Sequence, residues 1–231
     1  MLKKFGMAAL ISLLMPLSAQ AATFNFDGGT DFTFNADTTT RAGVGTTAGA
    51  LNTAAFSAGF GSFFTSDYGR LGALDAGPAN NSSHASGSSS ASSSQFSFSG
   101  IDKITVNFSY AFVGNANPNV DKVDIFLFDP NGPNDSIAVG TLFFTGNTAN
   151  SNQSFTLTGS ALSTFVSGAN YQLLFQLSEA LGSGNSAFGF DNVSVTGVPE
   201  PSPLFGLLAI GSLVGGAVAV RRWRSSGLES A

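Results

Sequence analysis

Cysteine is absent, histidine occurs once, and only 10% of the 231 residues are charged. Without cysteine there is no disulfide, so buried apolar surface must hold whatever folds. The single histidine, His84, leaves no nitrogen and sulfur set for zinc. A Ser-His-Asp triad would have to use His84, which sits in a Ser/Gly-rich stretch with no nucleophile-elbow pattern; it reads as a solvated loop residue. No Gly-rich phosphate loop joins a strand to a helix, which argues against nucleotide binding. Basic side chains are scarce as well. Residues 22–203 hold four (Arg41, Arg70, Lys103, Lys122) against thirteen carboxylates, a net charge of −9. Nucleic acid and anionic lipid are poor partners for such a surface, because phosphate neutralisation needs clustered Lys and Arg.

Long apolar runs occur only near the two ends. At the amino end, Lys3 and Lys4 precede an apolar run over 5–17 that Pro16 interrupts, and Ala19, Gln20 and Ala21 form an A-x-A site. This is the pattern of a secretory signal peptide over 1–21, cut by signal peptidase so that the mature chain starts at Ala22. At the carboxyl end, residues 203–220 carry no charge, and Arg221, Arg222, Trp223 and Arg224 follow at once. Residues 204–220 as a helix would measure about 26 Å, slightly short for a bilayer core of about 30 Å. In lipid so apolar a run satisfies its own backbone as a helix. The arginines stay cytoplasmic, so the preceding residues face outward and 225–231 form a cytoplasmic tail. Gly211 and Gly215 form a small-xxx-small pair suited to helix dimerisation, although such glycines are common in spans. Upstream, Val198, Pro199, Glu200, Pro201 and Ser202 put two prolines around one carboxylate. That arrangement cannot continue a strand or a helix and predicts an extended, exposed spacer.

Val-Pro-Glu-Pro-Ser, a short apolar helix and a terminal arginine cluster, in that order over 198–224, resemble the PEP-CTERM sorting signal of Gram-negative exosortase substrates. The resemblance implies that exosortase, a membrane-embedded cysteine protease, recognises and removes the signal. It implies an inner-membrane intermediate, then a place on the cell surface or in the extracellular polysaccharide matrix. The tail over 225–231 is longer than in many such signals. The same segment is also labelled the ice-binding protein C-terminal domain, after proteins that carry it; that label implies nothing about ice.

Between the two ends, residues 22–197 are long enough for one domain with a real core. Abundant Phe, Ser, Thr, Asn and Gly favour strands and turns over helix. Alternation predicts strands at 23–26, 31–34, 103–113, 122–128, 137–144, 153–158, 171–177 and 187–196. Residues 129–133, Asp-Pro-Asn-Gly-Pro, are a turn. Residues 37–51 read as a long loop, 56–65 as a strand or two, 77–94 as a flexible insertion or covering loop, and 162–167 as one helical turn. The sum is an all-β, two-sheet antiparallel β-sandwich of jelly-roll type, flanked by the signal peptide and a single transmembrane helix. The segments 102–113 and 121–128 also resemble a strand pair found in many PEP-CTERM ectodomains, which implies a sandwich but no activity.

One strand contains a phase break. Phe188 and Phe190 occupy even positions, Val193 and Val195 odd ones. Either a bulge lies at Asp191-Asn192 or the two pairs face opposite sides. A carboxylate on a buried face needs a partner or a cation. Asp191-Asn192-Val193 is similar to the closing segment of jelly-roll carbohydrate-binding modules. That resemblance implies a structural Ca²⁺ held by Asp191 with Asp27 as second ligand, the remaining oxygens coming from carbonyls and water. An Asp bonded to backbone N–H groups at a strand end fits the same residues. No other cofactor is expected. Tyr68, near Arg70 in a stretch read as loop, and Phe126 with Phe128 opposite Val123 and Ile125, are candidate sugar-stacking aromatics, unless a loop packs over them. Asp121-Lys122-Val123-Asp124 reads as the polar edge of a strand rather than an acid/base pair.

These readings make the chain a non-enzymatic structural or adhesive protein of the envelope or exopolysaccharide. A carbohydrate-binding module of jelly-roll type is the alternative, and a polysaccharide hydrolase with two placed carboxylates the more distant one. The expected partners are signal peptidase, exosortase, the membrane before processing and exopolysaccharide, with no nucleic acid.

Overall fold

A two-residue period is what a half-buried strand requires. The computed structural model describes residues 18–26, 31–36, 40–45, 63–73, 87–113, 121–132, 136–144, 146–179 and 186–200. Eleven strands form among them: β1 (Gln20–Phe24), β2 (Phe32–Ala36), β3 (Thr40–Gly45), β4 (Tyr68–Ala73), β5 (Gly87–Ser93), β6 (Ile101–Val113), β7 (Lys122–Phe128), β8 (Ser136–Phe143), β9 (Thr148–Thr158), β10 (Gln172–Glu179) and β11 (Ala187–Pro199). The one helical piece among the described residues is a 3-10 turn at Gly159–Leu162, slightly earlier than the turn expected at 162–167.

The strands make two antiparallel sheets. One has the order β3-β4-β11-β6-β9, with β1 also paired to β11; the other has the order β2-β5-β10-β7-β8. Between them lies one core. β6 contributes Ile104, Val106, Phe108, Tyr110 and Phe112; β7 contributes Val123, Ile125 and Leu127; β10 contributes Leu173, Phe175 and Leu177. These are the faces that alternation predicts. Phe175 and Phe190 stack at 4.5 Å, and Phe108 meets Phe175 edge-on at 5.1 Å. Aromatic contacts of this kind add about 0.5–1.5 kcal/mol beyond burial.

Several expectations need correction. Residues 40–45, read as loop, form β3, which pairs with β4 from Thr40 opposite Ala73 to Gly45 opposite Tyr68. Tyr68 and Arg70, also read as loop, lie in β4. The Ser-rich stretch over 87–93 is β5, hydrogen-bonded between β2 and β10 in the middle of its sheet. Its interior side chains are Ser89, Ala91 and Ser93, small enough to lie under the aromatic core. Residues 63–65, inside the strand expected at 56–65, are turn and irregular. β11 reaches Pro199, so Val198 and Pro199 of the expected spacer end a strand; Glu200 is exposed. β1 starts at Gln20, two residues before the expected mature start at Ala22.

Candidate functional site

The outward positions of the five-stranded sheet follow from its register. Leu174 lies between Ser92 and Phe126, and Phe126 faces Ala138. One step along, Asn35, Ser90, Gln176, Asp124 and Thr141 cross all five strands. Lys122 and Phe143 sit opposite each other on the far side of that band, and Phe128 lies beyond Phe126. The result is a polar band bordered by apolar side chains. Phe128 is 38% exposed and Phe143 63% exposed, while Phe126 and Leu174 are half-buried. In the band, Thr141 Oγ1 donates to Asp124 Oδ1 at 2.7 Å, and Lys122 Nζ pairs with Asp124 Oδ2 at 2.7 Å. The two charges of the band offset one another. Hydroxyl and amide groups beside apolar rings can hydrogen-bond a sugar's hydroxyls while its C–H face packs on the rings.

The other sequence candidates fare differently. Tyr68 is buried against Phe64, ring to ring at 4.5 Å, in a second cluster with Ala111 and Ala187. Burial pushes its phenol above the ordinary tyrosine range, with the Arg70 guanidinium pulling partly back. Arg70 is itself 6% exposed, so neither residue offers a platform for sugar. Phe126 and Phe128 do reach the sheet's outer face, the second of them in solvent.

Asp191 is buried where β11 changes partner. Residues Ala187 to Phe190 pair with β4, and residues Val193 to Gly197 pair with β1. Asn192 takes φ 54°, the left-handed conformation that shifts the phase, so Phe188, Phe190, Val193 and Val195 all enter the same core. The Asp191 carboxylate accepts hydrogen bonds from Ser66 Oγ at 3.0 Å and Asn192 Nδ2 at 3.3 Å. Asp27, its expected partner on calcium, lies outside the described residues, as does His84. Among the described residues no three Asp, Glu, His or Cys side chains converge as a metal set.

Asp121-Lys122-Val123-Asp124 divides between the two faces of β7. Lys122 and Asp124 are outward and paired, while Asp121 is fully buried and accepts a hydrogen bond from Ser186 Oγ at 3.0 Å. The register of β10 on β7 ends with Ser178 opposite Lys122, and Glu179, the next residue of β10, is 4% exposed, as shielded as Asp121. A pair so shielded is closed to a polymer substrate. The polar band itself was missed in the sequence. The outward half of β7 and β10 was visible in their alternation, but the serines of β5 carried no signal of a strand.

The sorting motif residues Pro201 and Ser202, residues 204–220, the arginines Arg221, Arg222 and Arg224, the tail over 225–231 and residues 1–17 lie outside the described residues. Ala19, Ala21 and Ala22 are described; Ala21 and Ala22 pair with Thr196 and Val195.

No protein-family model matches the chain, and no curated protein sequence matches it. Among solved structures it is similar to the family 11 carbohydrate-binding module of the cellulosomal cellulase Lic26A-Cel5E of Clostridium thermocellum, at 10% identity over 81% of this chain and 99% of that one, with a TM-score of 0.43. It is similar to the K1 cleaved adhesin domain of Lys-gingipain from Porphyromonas gingivalis W83, at 9% identity over 78% of this chain and 98% of that one, with a TM-score of 0.44. An exo-β-agarase matches at 14% identity over 78% of this chain and 25% of its own, with a TM-score of 0.44. Likeness at this distance says nothing of what the chain binds.

Proposed function

We propose that the domain is a non-catalytic, polysaccharide-binding β-sandwich of jelly-roll type that uses the outer face of its five-stranded sheet. This reverses the order of the sequence readings, which set a structural or adhesive role first. The observation that carries it is the band of Asn35, Ser90, Gln176, Asp124 and Thr141 beside Phe126 and Phe128 on one solvent-facing surface. The chain path supports the jelly-roll type: β4 to β5, β5 to β6, β6 to β7, β8 to β9, β9 to β10 and β10 to β11 each cross from one sheet to the other.

Delivery rests on the terminal signal. The resemblance of 198–224 to a PEP-CTERM signal, with the signal-peptide pattern over 1–21, supports export from a Gram-negative cytoplasm and an inner-membrane intermediate. Exosortase then releases the chain to the cell surface or the extracellular polysaccharide, where a glycan-binding face has its ligand at hand.

The test is affinity electrophoresis of the full chain through gels containing soluble neutral polysaccharides, guided by a glycan array. At least one glycan should retard the wild type. Phe126→Ala and Phe128→Ala should weaken that binding about tenfold or more, a loss of at least roughly 1.4 kcal/mol. Both variants should unfold close to the wild type, because both side chains lie outside the core. The reading fails if no glycan retards the chain or if both variants bind as the wild type does.

A further inference from the structure

Independently of the glycan reading, we propose that Asp121 and Glu179 hold a divalent cation, with calcium the best fit, at one end of the sandwich interior. The pairing follows from register. Ser178 lies opposite Lys122, and the next step along β10 and β7 sets Glu179 beside Asp121. Both belong to the inward faces that carry Leu177 and Val123, and they are 4% and 0% exposed. Side chains opposite one another on antiparallel neighbours have Cβ atoms about 4.5–5.5 Å apart. Two carboxylates at that spacing can share one ion, and burial strengthens the attraction. Lys122, next in sequence to Asp121, points to the other face and binds Asp124.

Two hydroxyls complete the group. Ser186 Oγ donates to Asp121 Oδ2 at 3.0 Å and brings the start of β11 to the carboxylates. Ser89 is the independent sign of a ligand. It lies opposite Leu177 on β5, diagonal to Glu179, whose own β5 partner is Gly87. Ser89 is 2% exposed on the inward face, and its Oγ has no hydrogen-bond partner among the described residues. A buried hydroxyl left in that state is costly, and glycine at 87 puts no side chain in the way. A cation between the carboxylates gives the Ser89 oxygen a partner. The donors are oxygen alone, which suits a hard cation. Ca²⁺ accepts six to eight oxygens in flexible geometry, whereas Mg²⁺ demands a near-ideal octahedron.

Equilibrium dialysis of the full chain against calcium alone, after treatment with a chelator, tests the assignment. A saturable site is expected, lost in Glu179→Gln and Asp121→Asn and retained in Asp191→Asn. Ser89→Ala should fold and bind more weakly. If the carboxylate variants fail to fold, the wild type decides: calcium at a hundredfold its Kd should raise the melting temperature by about 5–10 °C over the chelated chain. No binding, binding that survives both carboxylate substitutions, or loss only in Asp191→Asn overturns the proposal. So does a melting temperature indifferent to calcium and chelator.

Discussion

At Gly69 the core has no room for a side chain. A Cβ there would stand 2.5 Å from Phe190 Cζ and 2.8 Å from Phe26 Cζ. Both rings are almost wholly buried, so neither can swing away into solvent. Gly69→Ala should therefore cost about 1–3 kcal/mol by overpacking. At roughly 2–4 °C per kcal/mol for a chain of this size, the loss reads directly as a lower melting temperature. A melting point equal to the wild type would show that the rings have room. Nothing in Asp67-Tyr68-Gly69-Arg70 announces this packing, because a glycine between polar neighbours reads as a turn. Phe175 is the opposite case. Its burial was legible from the alternation of Tyr171, Leu173, Phe175 and Leu177, all of which are interior.

β11 shows how an element can be read correctly yet incompletely. The clash between the even pair Phe188, Phe190 and the odd pair Val193, Val195 was plain in the sequence. Which of two resolutions the chain takes was not, since that depends on a change of partner from β4 to β1. The left-handed Asn192 carries the shift. Asn192→Gly should stay within about 0.5 kcal/mol of the wild type, because glycine takes positive φ freely. Asn192→Val should lose about 1–2 kcal/mol, because a β-branched side chain resists that conformation. Urea unfolding of the two variants checks this, and equal midpoints would remove the bulge as the cause. β5 was illegible for a different reason. A two-residue period shows only when the two faces differ, and Gly-Ser-Ser-Ser-Ala-Ser-Ser is small on both. Its neighbours β2 and β10 impose the strand, as context commonly overrides propensity in sheets.

At the scale of the whole molecule, composition bounded the answer before any strand was placed. Few charges, many Phe and little that favours helix fit a sandwich held by burial. The polar band could not be foreseen, since its members are distant in sequence and meet only through register. The sorting proposal is tested on the whole chain in its cell. Alanine at Pro199, Glu200 and Pro201 together should leave full-length protein in the inner membrane, scored by fractionation and blotting. Normal processing and release would end that reading.

Ala22 lies opposite Val195 and Phe24 opposite Val193, so the first strand of the sandwich takes its partner from the last. A polypeptide made or threaded amino end first must leave β1 waiting until nearly the whole domain has emerged. Closure of that contact spans almost the full sequence, the kind of distant pairing that slows folding most. Pairing of the first strand with the last thus makes the closing step of folding wait on the strand farthest along the chain.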